Sequence, residues 1–380
     1  MDELNGKQGE WKTINGAKVF IENGQSVEEA ISKLSNKQKH EKRYIVNRGT
    51  YELVVKESNL DKYRNGWNYD VYGEESFKEI NIDEYLDFID NLDLSKSVGE
   101  LQQTLKREIL MLPQTIKIHL FKELENKISE YHQKLADEFL SKVPKVKQTE
   151  ILEESAISIN EENYKKSKSV EDKTSPEYAA YTYNCQRCAQ AFILRWCHGY
   201  DVQAKPCQRV WNEKTKKFDI TGDDIELENY AAKNGYTVGS FGVSTSTYNG
   251  WQAVIFNYAD VNKTLRNGND IAQEIRYSGT EDQMRWIKKT VKEAGPGAAY
   301  LCSVCWKGTK KEDGTYSAHV FCIVNDSGKV KFIDPQNGKE CSDYFTDKQI
   351  VPKQTEIFRA DNCRLNGTMM KEVIDYERNS

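Results

Sequence analysis

The side chains best suited to chemistry are two cysteines, one histidine and one aspartate. Cys185 and Cys188 stand in Tyr183-Asn184-Cys185-Gln186-Arg187-Cys188-Ala189-Gln190-Ala191-Phe192. If a helix begins near Cys185, then Cys188, Ala189, Phe192, Ile193 and Trp196 fall at +3, +4, +7, +8 and +11, the spacing of one buried helical face. Cys185 then lies at the N-terminal edge, where the helix dipole and unsatisfied N–H groups favour a thiolate. Such a nucleophile needs a base. The chain has 5 histidines, and His40, His119 and His132 lie in its charged N-terminal half. His198 closes the cysteine helix. His319 stands in Ser317-Ala318-His319-Val320-Phe321-Cys322-Ile323-Val324, which reads as a strand. After a turn at Asn325-Asp326-Ser327-Gly328, a second strand at 329–333 leads into Asp334-Pro335-Gln336. That hairpin brings Asp334 near His319, where the carboxylate can hold the imidazole in the right tautomer. This is the Cys/His/Asp logic of a thiol hydrolase or acyl-transfer site.

The elements that must position these groups can be read around them. A helix at 185–198 carries the cysteines, and further helices are expected at 223–234 and 280–294 (Met284, Ile287, Val291). Strands are expected at 299–306, 319–325 and 329–333. A leading helix followed by antiparallel strands is an α+β domain. Upstream, residues 11–21 read as a hairpin around Asn15-Gly16. Ser26 with Glu29 makes a capping box for a short helix to about Asn36. Segments 43–56 and 66–72 look β-like, and the pattern turns helical over 81–143. There Phe121, Leu124, Ile128, Tyr131, Leu135 and Phe139 are spaced 3, 4, 3, 4 and 4, one apolar stripe on a long helix that Pro113 breaks or starts. Residues 144–177 are rich in Lys, Glu and Ser and read as a linker, in part helical. The expected organisation is a small mixed α/β region at 1–80, a helical region with a charged linker at 81–177, and the site-bearing domain at 178–380.

Composition excludes several classes. The sequence has 380 residues, 54 Lys+Arg against 59 Asp+Glu and a net charge of −5, which argues against a nucleic-acid binder. No apolar run is long enough to span a membrane, and residues 1–11 lack the apolar core of a secretory signal. All 9 cysteines fall at or after Cys185. A disulfide framework is a poor reading for a long chain without that signal. The other seven (Cys197, Cys207, Cys302, Cys305, Cys322, Cys341 and Cys363) read as packing residues. Cys185/Cys188 and Cys302/Cys305 together would number four thiolates, enough for structural zinc. However, Leu301-Cys302-Ser303-Val304-Cys305-Trp306 reads as a strand, where such a pair points to opposite faces, and the first pair lies in a helix. No metal and no cofactor are expected. The Gly235–Gly250 stretch lacks the glycine spacing of a nucleotide loop.

The residues also carry a family resemblance. Asn184-Cys185-x-x-Cys188, Gly199-Tyr200-Asp201-Val202 with Ala204, Trp306-Lys307-Gly308, and His319 fifteen residues before Asp334-Pro335-Gln336-x-Gly338 together resemble the papain-fold toxin domain of the glutamine deamidase type. Such domains occur in polymorphic toxins and at the C-terminus of phage minor head proteins. The resemblance covers about 178–378. Trp11-x-Thr13-Ile14-Asn15-Gly16 is similar to a short phage-head motif. The resemblance implies a papain-like fold and thiol-dependent deamidation of a protein glutamine by Cys185 or Cys188, with His319 and Asp334. Asn184 and Gln336 are expected to support the oxyanion or the substrate. Helix placement favours Cys185 as nucleophile, and analogy to papain's Cys-x-x-Cys favours Cys188. Expected partners are a protein substrate, an immunity protein if the chain is a toxin, and phage head components. The chain is expected in the cytoplasm when synthesised, in a virion, or delivered to a target cell. The N-terminal half is expected to serve docking or delivery. A cysteine protease or transglutaminase uses the same triad, and an inert papain-like domain in a structural phage-head or interaction protein is the rival of another class.

Overall fold

A computed structural model describes residues 2–4, 7–14, 17–24, 26, 40–48, 51–64, 77–147, 150–236, 250–276, 279–309 and 316–376. The chain divides into two compact units. The first comprises Met1–Asn91 with Ile109–Leu120, and the second Leu92–Glu108 with Phe121–Ser380.

In the first unit, β1 (Asp2–Leu4), β2 (Lys7–Ile14) and β3 (Ala17–Glu22) form an antiparallel sheet in which Ile14 pairs with Ala17. The turn residues Asn15 and Gly16, the helix expected after Ser26 and the β-like segment 66–72 lie outside the described residues. A second sheet has β4 (Arg43–Asn47) between β5 (Glu52–Lys56) and β6 (Phe77–Ile80). Val46, Val55 and Leu60 form its small core. Helix α1 (Asp83–Asp90) follows, with Leu86 and Ile89 buried one turn apart.

Helix α2 (Val98–Glu108) belongs to the second unit, and α3 (Gln114–Leu140) starts directly after Pro113, which lacks the N–H that a first turn leaves unused. On α3 the most deeply buried positions are Leu120, Leu124, Ile128, Ser129, His132, Ala136 and Leu140. Tyr131, Leu135 and Phe139 are not among them. The stripe read from the sequence therefore lies one residue off over the second half of the helix. A small Ala136 and a polar His132 face inward there, and a hydrophobicity pattern passes over both. Burial pushes the His132 pKa down to about 4, so it is a neutral core histidine.

The stretch read as a linker contains α4 (Leu152–Ser169), whose Leu152, Ala156, Ile159 and Asn160 are buried. Its polar composition reflects one solvated face of a packed helix. Helix α5 (Pro176–Thr182) opens with Pro176 in its first turn and Ser175 as cap, whose hydroxyl accepts from the Tyr178 N–H at 3.1 Å. Helix α6 (Cys185–Trp196) follows one short turn later and is buried along nearly its whole length: Cys188, Ala189, Phe192 and Ile193 are all fully enclosed.

The second unit then alternates small strands and helices: β7 (Gln203–Ala204), the hairpin β8 (Arg209–Asn212) and β9 (Lys217–Ile220), α7 (Asp223–Lys233), α8 (Tyr258–Thr264), β10 (Arg266–Asn267), α9 (Gly268–Ile275) and α10 (Thr280–Glu293). Its main sheet is antiparallel, in the order β10, β15 (Glu356–Arg359), β11 (Ala299–Cys305), β12 (Ala318–Asp326), β13 (Lys329–Asp334) and β14 (Lys339–Glu340). One face packs on Ile271, Ile287 and Val291 of α9 and α10. The opposite face receives α6, since the Cys322 Sγ of β12 donates to the Ala189 carbonyl at 3.6 Å. Strand β11 has helix-covered neighbours on both sides and no exposed residue, so it shows no alternation. The unit is an α+β fold with one central helix laid against an antiparallel sheet.

Candidate active site

Cys185 is the first residue of α6, and Asn184 is its N-cap. The Asn184 carbonyl accepts from the N–H groups of Arg187 at 2.9 Å and Cys188 at 3.0 Å, which starts the helix. No described residue accepts from the N–H of Cys185 or Gln186, the expected state of a helix's first turn. The turn is pinned by Arg187, which is fully buried and donates from Nε to the Glu372 carbonyl at 2.9 Å. Its guanidinium also lies 2.7 Å from the buried Asp224 carboxylate, which Arg209 approaches at 3.1 Å. A buried guanidinium without such a partner would cost several kcal/mol, on the order of 3–5.

His319 is the second residue of β12, and Asp334 ends β13. The hairpin register places Cys322 opposite Ile333, so the strands run out together towards His319 and Asp334. His319 Nε2 lies 3.0 Å from Asp334 Oδ2. The Cys185 thiol lies near enough to the same imidazole to help raise its pKa. With Nε2 held by Asp334, the ring nitrogen left for the thiol is Nδ1. Cys185 also donates to Gln186 Oε1 at 3.3 Å. A helix and two strands therefore bring Cys185, His319 and Asp334 together, with His319 bonded to Asp334 and the thiol beside the ring.

Burial alone would lower the pKa of His319, which is 8% exposed. The Asp334 charge, the Asp334 hydrogen bond and the contact with Cys185 act against it and raise the pKa to about 10. The imidazole is thus held as a cation beside the thiol. Asp334 keeps four donors: His319, the Asn337 Nδ2 at 2.8 Å and the Tyr344 hydroxyl at 3.0 Å on Oδ2, and the Gln336 N–H at 3.0 Å on Oδ1. Trp306 stacks on the His319 ring, with centroids 5.8 Å apart and planes at 23°. Tyr344 meets the same ring edge-on at 5.9 Å. These two rings leave the imidazole little freedom to turn.

Cys188 stands apart from this group. It is wholly buried one turn deeper in α6, and burial pushes its thiol pKa far above the ordinary value. The second pair, Cys302 and Cys305, lies on β11, and burial pushes the Cys302 thiol up as well. Among the described residues no group of three or more His, Cys, Asp or Glu side chains is arranged to hold a metal ion.

Asn184 and Gln336 meet, although 152 residues separate them: Gln336 Nε2 donates to Asn184 Oδ1 at 3.2 Å. Both amide hydrogens of Asn184 are committed, one to Asn160 Oδ1 at 3.0 Å and one to the Lys205 carbonyl at 3.1 Å. The Asn184 amide therefore has both its hydrogens in contacts within the protein, and its carbonyl receives the first N–H groups of the helix. Gln336 keeps a second amide hydrogen. Sequence reasoning missed Asn160 and Tyr344. Neither sits in a motif, and each reaches the site only through tertiary packing.

Residues 183–339 match the family described as papain fold toxin 1, glutamine deamidase. Cys185, His319 and Asp334 all fall inside the match. No curated protein and no solved structure matches the chain. The matched segment is similar to a papain-fold toxin domain of that deamidase type, and it lies on an α+β scaffold.

Proposed function

We propose that this protein is a thiol-dependent hydrolase that deamidates a glutamine side chain of a target protein. The observation that carries the reading is the His319–Asp334 pair beside Cys185 at a helix start, inside the segment that matches the glutamine deamidase family. The nucleophile is Cys185. It keeps 6% exposure at the helix edge beside a cationic imidazole, whereas Cys188 has none and burial pushes its thiol pKa far up.

The Cys185 sulfur attacks the amide carbon, and the carbonyl oxygen becomes an oxyanion. The free N–H groups of Cys185 and Gln186 point out of the first turn and can receive it, with the remaining Gln336 amide hydrogen as a further donor. The C–N bond then breaks as His319 gives its proton to the departing nitrogen, releasing ammonia and leaving a thioester. Water, deprotonated by His319, cleaves the thioester to a glutamate side chain and the free thiol. Asp334 stabilises the imidazolium and fixes its orientation throughout. The setting we infer is a toxin or phage-associated protein, acting on a protein substrate and countered by an immunity protein where it is made. Among the described residues no helix is long and apolar enough to cross a membrane.

Incubation with β-casein as a glutamine-bearing probe tests the reaction class. The expected result is ammonia release with the mass gain of an amide-to-acid change on intact casein, absent for Cys185→Ala. Chain cleavage would make the protein a protease. Incorporation of dansylcadaverine in place of hydrolysis would make it a transglutaminase. None of these with a folded protein and a panel of further protein probes would favour an inert domain.

A further inference from the structure

Helix α4 lies outside the segment that matches the deamidase family, yet it reaches both halves of the site. Asn160 of α4 is 3% exposed and makes four hydrogen bonds. Its Nδ2 donates to the Gln336 carbonyl at 2.8 Å, the Tyr181 carbonyl at 3.3 Å and Asn184 Oδ1 at 3.5 Å. Its Oδ1 accepts from Asn184 Nδ2 at 3.0 Å. Asn184 is the cap of the Cys185 helix, and Gln336 donates its N–H to Asp334. One carboxamide therefore joins the start of the nucleophile helix to the turn that carries the aspartate. Three further contacts hold α4 to the same two elements. Glu150, just before it, pairs through both oxygens with Arg195 at the end of α6, at 2.6 Å each. Glu153 pairs with Lys331 of β13 at 2.9 Å. Gly338 has φ +72°, and a Cβ there would meet the Ile157 backbone at 3.3 Å, so the Asp334–Gly338 turn presses directly on α4.

We propose that Asn160 is a positioning residue of the active site, the amide latch that sets Cys185 against His319 and Asp334. The proposal rests on the triad reading given above. A carboxamide is suited to this place because it must accept from one partner and donate to two others while carrying no charge. An alcohol can donate only once, and a carboxylate cannot donate at all. Without the latch, α6 and the aspartate turn remain folded but lose their register. An error near 1 Å between nucleophile and base is enough to cost on the order of a hundredfold in rate.

The test uses the full chain and needs no knowledge of the natural substrate. Alkylation of Cys185 by iodoacetamide is followed by peptide mass spectrometry from pH 4 to 10 for wild type, Asn160→Ser and the isosteric Asn160→Asp. Thermal unfolding and circular dichroism are measured alongside. Wild type is expected to label at Cys185 faster than at any of its other cysteines. Asn160→Ser is expected to keep its fold but lose that advantage, labelling at Cys185 at the rate of an ordinary thiol. On casein, kcat should fall at least about tenfold with KM within about twofold. A merely structural role would lower the unfolding temperature and leave the labelling profile of the folded protein unchanged, and that result overturns the proposal. If Asn160→Ser does not fold, Asn160→Asp carries the test; failure of both to fold would assign Asn160 to stability and overturn it too. If wild-type Cys185 itself labels no faster than an ordinary thiol, the triad reading falls and the latch with it. If wild type labels fast but casein is untouched, only the reaction class is in question.

Discussion

Cys185 and Cys188 share a helix, whereas Cys302 and Cys305 share a strand, and one sequence spacing therefore produces two environments. On α6 the i, i+3 step returns to the same side of the helix almost one turn deeper. The first thiol is left at the helix edge beside His319, and the second is sealed under the sheet. On β11 the same step crosses the pleat. Cys302 then joins the core with Ile287, Val291 and Phe321, and Cys305 falls on the other side at the strand's end. The next residue after Cys305 is Trp306, which stacks on His319. A Cys-x-x-Cys is thus neither a metal site nor a nucleophile by its spacing. What separates the thiols is whether a helix N-terminus and a cationic imidazole reach them.

The largest test of this contrast is activity. Cys185→Ala is expected to lower casein deamidation by at least about a thousandfold, while Cys302→Ala remains active and loses about 1 kcal/mol of stability from the vacated core volume. Equal loss from Cys188→Ala at unchanged folding would move the nucleophile one turn deeper and break the comparison. Next in size is the aspartate. Asp334→Asn should reduce kcat/KM on the order of a hundredfold. His319 owes its raised pKa of about 10 largely to Asp334, working against burial. The stability that this protonation contributes is therefore fully present below the ordinary pKa of 6.5, and in the folded protein the imidazolium is lost as pH rises through about 10. The alkaline limb of the rate profile should lie near that value in wild type and move to lower pH in Asp334→Asn.

Thiol labelling sharpens the contrast without any substrate. In the native protein, Cys188, Cys302 and Cys322 should resist iodoacetamide, because burial excludes the reagent and opposes the thiolate. They should label only after unfolding. The smallest effect concerns the strand pair's surroundings. Glu356 pairs in register with Ser303 on β11, is 1% exposed and has no hydrogen-bond partner for either carboxylate oxygen among the described residues. Burial raises its pKa from 4.5 to about 8. Its contribution to stability is complete below about 4.5 and is lost as pH rises through 8. Glu356→Gln should therefore raise the unfolding temperature by roughly 3–5 °C at alkaline pH and change little in acid.

The helix at 185, the strands at 299, 319 and 329 and the turn between the last two were legible because each is written in local pattern. The structure returns them as Cys185–Trp196, Ala299–Cys305, Ala318–Asp326 and Lys329–Asp334. The His319–Asp334 contact was also legible, since a two-strand hairpin with a short turn sets it within fifteen residues. Residues 144–177 misled because a helix with a single buried face has the composition of a solvated segment. The stripe on α3 slid by a residue because His132 and Ala136 carry no strong hydrophobic signal.

By itself, then, the sequence determined the residue types, the hairpin that pairs histidine with aspartate, and the helix that sets a cysteine at its N-terminal edge. All three depend on neighbours within a few turns or one hairpin. The tertiary structure alone decided which cysteine meets the imidazole, that Asn184 and Gln336 are joined by a hydrogen bond, and that Asn160 and Tyr344 reach their surroundings. Each of those outcomes needs groups brought together across the fold, as Asn160 and Gln336 are across 176 residues. No local period records such a pairing, because it is set by how α4, α6 and the sheet pack and by the need of every buried amide for partners.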